Sequence, residues 1–110
     1  DKVAVVTGAA DGIGMAIARA YAAEGAIVVL SDIAEERGEA VTTGIRADGG
    51  QATFLRCDVA DNADIVALIA FAVAQHGRID VLVNNAAIAI GGFPLHEMTE
   101  EQWARLMAVN

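Results

Sequence analysis

The sequence of 110 residues is poor in cysteine and in basic residues, and each scarcity excludes a class of protein. A single cysteine, Cys57, permits no internal disulfide and is typical of a reducing compartment. Only 7 Lys and Arg residues stand against 15 Asp and Glu residues, for a formal net charge of -8. So acidic a chain cannot form the basic patch that nucleic acids or anionic membranes require. We therefore predict no nucleic-acid partner and a cytoplasmic location.

Long hydrophobic runs are also absent. The longest uncharged stretch with helical periodicity, Ile65–Gly77, is shorter than the roughly 20 residues that cross a bilayer, and no signal peptide is visible. No spacing of His, Cys, Asp and Glu suggests a metal site. We therefore expect neither a membrane partner nor a bound metal. Hydrophobic residues nevertheless make up 55% of the chain, which excludes a disordered protein.

Short apolar runs alternate along the chain with helix-length amphipathic stretches. The runs predicted to be strands are Val3–Val6, Ile27–Leu30, Ala52–Leu55 and Val81–Val83. The order is β-α-β-α-β-α-β-α, and strands linked through helices are parallel with right-handed crossovers. The sequence therefore predicts an α/β fold, a doubly wound, Rossmann-type parallel sheet between two layers of helices.

Glycines and capping residues predict the ends of the helices. Gly25 is expected to end the first helix, and the second is expected over Glu35–Asp48. Asp61 is a natural N-cap for the third helix, which is expected to stop at Gly77. A capping box starting at Thr99 opens the fourth. The carboxyl ends of the strands then meet at one edge of the sheet.

A glycine-rich turn, Thr7–Gly14 with the sequence TGAADGIG, joins the first strand to the first helix. Glycines let the backbone approach a pyrophosphate, and the helix N-terminus offers free N–H groups and a positive dipole end. The spacing is G-x-x-x-G-x-G rather than the common G-x-G-x-x-G, so a tight turn without a ligand is the alternative. Its position after the first buried strand favours nucleotide binding.

Asp32, at the end of the second strand, is a candidate ligand for a ribose. A carboxylate there can accept hydrogen bonds from both ribose hydroxyls of an adenosine, and it repels the 2′-phosphate of NADP. Asp11 adds a second negative charge, and no Lys or Arg follows Asp32 until Arg37. The sequence therefore predicts NAD as the preferred cofactor, with a helix-capping role for Asp32 as the alternative. Asp58 is expected at the same edge, either against the adenine amino group or in a turn.

Taken together, these motifs resemble the short-chain dehydrogenase/reductase family. The residues that carry the resemblance are Thr7–Gly14, Asp32, Cys57–Val59, Asn84–Ala86 and the segment from Trp103 to Asn110. The resemblance covers the whole chain but only the first half of a family member. It implies an oxidoreductase that moves a hydride between NAD(H) and an alcohol or ketone substrate. It also implies a homo-oligomer, a dimer or tetramer that pairs through the fourth and fifth helices.

The resemblance also implies residue roles. The glycine turn would line the pyrophosphate. Asp32 and Ile33, after the second strand, would hold the adenine ribose. Asp58 and Val59, after the third strand, would flank the adenine. Asn85–Ala87 would lie under the other ribose and stabilise the central sheet. Asn110 matches a helix Asn that helps to hold a water for the proton relay, and it is the catalytic candidate. Because the family usually has Gly in place of Ala87, we expect a slightly wider turn there. The cofactor residues predicted in this way, together with Asp11, are Gly8, Gly12, Ile13, Gly14, Asp32, Ile33, Asp58, Val59, Asn85, Ala86 and Ala87.

The family's catalytic Ser and Tyr-x-x-x-Lys set has no match in these residues. The only tyrosine is Tyr21, expected to pack in the first helix, and the only lysine is Lys2. We therefore expect residues 1–110 to be the N-terminal, NAD-binding portion of a longer dehydrogenase, truncated after Asn110 and inactive alone. The alternatives are a complete, non-catalytic dinucleotide-binding module and an S-adenosylmethionine-dependent methyltransferase, which also uses a glycine-rich turn and an acidic residue after its second strand.

Overall fold

Strands and helices alternate in a computed structural model that describes all 110 residues. The strands are β1 (Val3–Thr7), β2 (Ile27–Asp32), β3 (Gln51–Arg56) and β4 (Val81–Val83). The helices are α1 (Gly12–Ala23), α2 (Glu35–Ala47), α3 (Asn62–His76) and α4 (Glu100–Val109), the last preceded by a short 3-10 turn over Leu95–Glu97. All strand pairs are parallel, in the order β3-β2-β1-β4. The predicted Rossmann-type α/β fold is confirmed.

Both faces of the central strands are buried. On one face, Val6, Val28 and Leu30 pack against α1 and α2. On the other face, Val5 and Val29 pack against α3. Successive side chains of a strand point to opposite faces, so a continuous apolar run is what a sheet covered on both sides requires. The chain therefore forms three layers, with α1 and α2 on one side of the sheet and α3 on the other.

The direction in which strands are added reverses at β1. The chain builds β1, β2 and β3 outward in one direction, and β4 then pairs on the free side of β1. In open parallel sheets, ligands bind in the crevice outside the carboxyl ends of the strands at such a reversal. The fold therefore singles out the loops after β1 and β4 as the place to look for a functional site.

The helix ends follow the predicted caps. Asp61 accepts a hydrogen bond from the N–H of Ala63 at 2.9 Å at the start of α3. Thr99 and Gln102 form the capping box of α4, and α1 ends just before Gly25. The starts of α1 and α2 differ from those of α3 and α4, because their N-cap side chains make no capping hydrogen bond. The start of α1 lies in the glycine turn.

Apolar side chains are exposed on β4 and α4. β4 is an edge strand, and Leu82 in its middle is 47% exposed. No residue of α4 is buried, and Trp103 and Met107, one helical turn apart, are each about half exposed. No helix has both the length and the apolar character needed to cross a membrane. Clustered apolar side chains of this kind are typical of surfaces that pack against further protein.

Asp80 fastens the start of β1, and this contact predicts a pH dependence of stability. Asp80 Oδ2 accepts the N–H of Val3 at 2.8 Å, and Oδ1 accepts from Nε of Arg78 at 3.0 Å. The hydrogen bond from Arg78, and then that from Val3, lower the pKa of the Asp80 carboxyl below its usual value. A carboxyl whose pKa is lower in the folded state stabilises the protein at neutral pH, and this contribution is lost as the pH falls through that pKa.

We therefore expect Asp80→Asn to lower the urea midpoint at pH 7, and the difference from the unmodified protein to shrink as the pH falls below about 4. The measurement is urea unfolding followed by circular dichroism across this range. Asp48→Asn, which changes an exposed carboxylate without a hydrogen-bond partner, is the matched control. A difference for Asp80→Asn that stays constant with pH would contradict the prediction.

Candidate functional site

A cavity of about 630 Å³ opens at the carboxyl ends of the strands, where the strand order reverses. Its volume lies in the range of cofactor and ligand pockets. All of the predicted cofactor residues except Gly12 and Gly14 line it. The lining residues that the sequence did not predict are Cys57, Ala60, Ile88, Arg105 and Val109. The fold therefore brings residues from all four strand ends and from α4 to one cavity.

The glycine turn presents free backbone donors at this edge. Asp11 is the N-cap residue of α1, but its carboxylate caps no N–H group, and the first turn of α1 holds no acidic residue. Gly12 has a φ of +54°, and a Cβ built there would meet no protein atom within 4 Å. The turn is thus open on its outer side, and no negative side chain of the first turn compensates the positive end of the α1 dipole. These features fit an anionic group such as a pyrophosphate.

Thr7 and Asn85 join the glycine turn to the segment after β4. Thr7 Oγ1 accepts the N–H groups of Asn85 and Ala86, each at 3.1 Å, and donates to the carbonyl of Val83 at 3.3 Å. Asn85 Nδ2 donates to the carbonyl oxygens of Thr7 and Gly8 at 3.1 and 3.2 Å. These hydrogen bonds fix the distance between two loops of the cavity. The sequence offered a signal for Thr7, a hydroxyl at a strand end beside a glycine, but not its partners.

The carboxylate of Asp32 is held by backbone groups of two loops. Oδ2 accepts the N–H of Ala10, in the glycine turn, at 3.0 Å, and Oδ1 accepts the N–H of Ala34 at 2.9 Å. The N-cap residue of α2 is Ala34, and Asp32 contacts the start of this helix through the N–H of that residue. Each carboxylate oxygen can accept more than one hydrogen bond, so Asp32 keeps capacity for ribose hydroxyls.

Asp11 is paired with a basic residue of the next helix. Its Oδ2 lies 3.1 Å from Nη1 of Arg37, in the first turn of α2, and both side chains are about two-thirds exposed. The sequence predicted a negative charge at Asp11 but not its contact with Arg37, which is distant along the chain. Exposed pairs of this kind contribute at most about 1 kcal/mol to stability, so the contact can exchange easily.

Asp58 and Cys57 form the part of the cavity wall after β3. Asp58 Oδ1 accepts the N–H of Ala60 at 2.9 Å, which is the turn role left open by the sequence. Cys57 is buried and packs with Val29 and Leu68. Burial raises the pKa of the Cys57 thiol, so the thiol stays protonated at neutral pH. The geometry therefore agrees with an inert cysteine.

The side chain of Asn110 fastens α4 to the segment after β4. Its Oδ1 accepts the N–H of Ile88 and its Nδ2 donates to the carbonyl of Ile88, each at 2.9 Å. Asn110 does not line the cavity, whereas Arg105 and Val109 of α4 do. Ala87, next to Ile88, has no positive φ, so this backbone does not require glycine. Asn110 thus contacts the wall of the cavity through Ile88, which lines it.

The only tyrosine and the only lysine lie away from this cavity. Tyr21 and Lys2 line a smaller depression at the amino ends of β1 and β4, and Tyr21 packs against the core beneath α1 and α2. His96, in the 3-10 turn, is exposed. No three His, Cys, Asp or Glu side chains converge as a metal-binding group. The cavity therefore presents backbone donors and carboxylates whose chemistry suits a nucleotide, without a Tyr and Lys pair beside them.

Comparison with known sequences agrees with this geometry. Residues 2–110 match the family model described as short chain dehydrogenase. The chain is 44% identical, over 110 residues, to cis-4-hydroxycyclohexanecarboxylate dehydrogenase of Sinomonas cyclohexanicum, an alignment that covers 100% of this chain and 44% of the relative. The chain spans less than half the length of the curated relatives it matches.

Two solved structures share the fold almost completely. A metagenomic short-chain oxidoreductase in complex with NADP has a TM-score of 0.94 and 47% identity, and the match covers 98% of this chain and 49% of that one. A short chain dehydrogenase/reductase from Burkholderia phymatum in complex with NAD has a TM-score of 0.94 and 37% identity, covering 98% of this chain and 38% of that one. Backbones that match this chain equally well thus occur with either dinucleotide.

Proposed function

This chain belongs to the short-chain dehydrogenase/reductase family, and on that premise we propose that its protein transfers a hydride between NAD(H) and an alcohol or ketone. Residues 1–110 would be its NAD-binding Rossmann portion. The observation that carries the proposal is the contact between Asp32 and the open glycine turn at the carboxyl edge of the sheet. When bound, a nicotinamide dinucleotide supplies or accepts the hydride.

The chain's own residues would bind and orient that cofactor. The free N–H groups at the start of α1 favour the pyrophosphate. The remaining acceptor capacity of Asp32 suits the adenine ribose, while Ile33 and Val59 supply apolar walls to the same cavity. Asn85, held by Thr7, would support the nicotinamide half. These roles require no movement of the loops, because hydrogen bonds already fix their spacing.

We propose that NAD is preferred over NADP. A 2′-phosphate carries between one and two negative charges at neutral pH, and it would be brought close to the carboxylate of Asp32. That carboxylate cannot turn away without giving up its hydrogen bonds to Ala10 and Ala34. The two solved relatives, one with NADP and one with NAD, support a nicotinamide dinucleotide of either kind.

Asn110 is proposed to serve the proton relay as a positioning residue. Both polar groups of its side chain are engaged by the backbone of Ile88, so it would hold this segment in place rather than move a proton itself. The alcohol or ketone substrate, the homo-oligomeric assembly and the cytoplasmic location stay predictions from the sequence.

Titration of the full-length protein that contains residues 1–110 with NAD, NADP and S-adenosylmethionine tests the proposal. We expect saturable binding of NAD, weaker binding of NADP and none of S-adenosylmethionine, because Asp32 and the glycine turn fit an adenosine with a pyrophosphate. Glu39→Gln, an exposed substitution on α2 outside the cavity, is a control that should bind NAD unchanged. Binding of S-adenosylmethionine alone would refute the dehydrogenase assignment. Binding of NAD without hydride transfer to any of a panel of alcohols and ketones would favour the non-catalytic module.

A further inference from the structure

We propose that Arg37 is a latent ligand for a 2′-phosphate and that Asp11 restrains it, so that this ion pair sets how strongly NADP is rejected. The inference rests on the proposed dinucleotide-binding function. Arg37 Nη1 lies 3.1 Å from Asp11 Oδ2, and Asp11 lines the candidate cavity. The guanidinium is therefore held at the rim of the cavity by a residue of the glycine turn.

The stability of α2 does not explain an arginine at this position. The N-terminal turn of a helix favours negative side chains, which Glu35 and Glu36 already supply, and it disfavours a cation. The Arg37 side chain is 65% exposed, so it does not serve the core either. At this position, Arg37 contacts Asp11, which lines the candidate cavity.

The ion pair brackets the carboxylate of Asp32. Asp32 Oδ2 accepts the N–H of Ala10, the residue before Asp11, at 3.0 Å. Asp32 Oδ1 accepts the N–H of Ala34, one helical turn before Arg37, at 2.9 Å. Asp11 thus directly follows one residue that contacts Asp32, and Arg37 lies one helical turn beyond the other. A phosphate on a ribose bound at Asp32 would enter the rim that carries them.

The charges at this rim disfavour a phosphate more strongly while Asp11 is present, in addition to the repulsion by Asp32. Asp11 and Asp32 outnumber Arg37, and the charge of Arg37 is shared with Asp11. A guanidinium binds phosphate strongly and with two parallel hydrogen bonds, more strongly than it holds an exposed carboxylate. Removing the charge of Asp11 therefore removes one repulsion of the 2′-phosphate and frees the guanidinium of Arg37 to attract it. Solved relatives of equal fold similarity, one with NADP and one with NAD, agree with a choice made by a few side chains.

A double-mutant cycle tests the inference, with the dissociation constants of NAD and NADP measured for the unmodified protein, Asp11→Asn, Arg37→Ala and the double variant. Asp11→Asn should raise the ratio of NADP affinity to NAD affinity about tenfold, because only NADP carries the 2′-phosphate. Arg37→Ala should remove most of that gain in the Asp11→Asn background and have little effect on NADP in the unmodified one. Asp48→Asn removes the same charge at the far end of α2 and should leave the ratio of the two constants unchanged.

Each contrary result is distinguishable. An unchanged ratio in Asp11→Asn would overturn the inference, and so would an equal effect of Arg37→Ala in both backgrounds, because Arg37 would then not be restrained by Asp11. Both results leave the proposed function standing when the unmodified protein binds NAD. Failure of the unmodified protein to bind either dinucleotide would overturn the proposed function and this inference together. Thermal midpoints serve as the check that the exposed substitutions leave the fold intact.

Discussion

A Gly14→Ala protein is expected to lose about 3 kcal/mol of folding free energy or more, together with nucleotide binding. A Cβ at Gly14 would overlap the carbonyl oxygen of Gly8 and the Nδ2 atom of Asn85. Neither can move freely, because Asn85 Nδ2 donates to the carbonyls of Thr7 and Gly8. The added methyl group must therefore push α1 away from the sheet or break the contacts that place the glycine turn.

Urea unfolding by circular dichroism and an NAD titration measure the two losses. Gly44→Ala is the matched control, because a Cβ there has Arg19 Nη2 at 3.5 Å as its nearest neighbour. Gly44 lies inside α2, where alanine is the better helix former, so this variant should gain about 0.5 to 1 kcal/mol. A Gly14→Ala protein as stable as the unmodified one would show that α1 tolerates a wider spacing from the turn.

An Asp32→Ala protein should bind NAD about 10- to 100-fold more weakly and lose most of its bias against NADP. Hydrogen bonds to a charged group contribute about 1.5 to 3 kcal/mol, which corresponds to this range of affinity. The substitution also leaves the N–H groups of Ala10 and Ala34 without their partner, so the glycine turn should loosen and the thermal midpoint should fall. For NADP, the same substitution also removes the repulsion between the carboxylate and the 2′-phosphate. The affinity for NADP should therefore fall less than the affinity for NAD, or rise.

The ratio of NADP to NAD affinity separates recognition from damage to the loop, since a loosened turn weakens both cofactors. Isothermal titration of both dinucleotides gives this ratio. Asp58→Ala is the control at the neighbouring strand end, where the carboxylate holds only the turn at Ala60, and its ratio should not change. Equal weakening of both dinucleotides by Asp32→Ala would show that Asp32 serves the loop alone.

Local pattern was enough to predict most of the fold. The continuous apolar run at Val3–Val6 indicated burial on both faces, and the structure packs its alternate side chains into two cores. The caps at Asp61 and Thr99 were predictable because each capping interaction is confined to a few consecutive residues. The 3-10 turn at Leu95–Glu97 was missed, because a single turn has no periodicity to detect.

The partners within the candidate site were harder to predict than its members. Asp32 and the glycine turn were found from their places at strand ends, where ligands bind in this type of sheet. The contact of Asp11 with Arg37 and that of Asn110 with Ile88 join residues on different elements. No spacing in the sequence encodes such pairs, since they depend on how a helix docks and which rotamer its side chain adopts. The sequence therefore predicted where the acidic side chains of the site lie, but not that Arg37 pairs with Asp11.

We expect the candidate site to be completed late in folding. The hydrogen bond between Thr7 and Asn85 joins residues 78 positions apart, and closing so long a loop is entropically costly until α1, α2 and α3 have shortened it. During synthesis the glycine turn and Asp32 leave the ribosome well before β4. A nucleotide that needs both loops would therefore stabilise only molecules in which β4 has docked, and its binding reports that the long-range closure is complete.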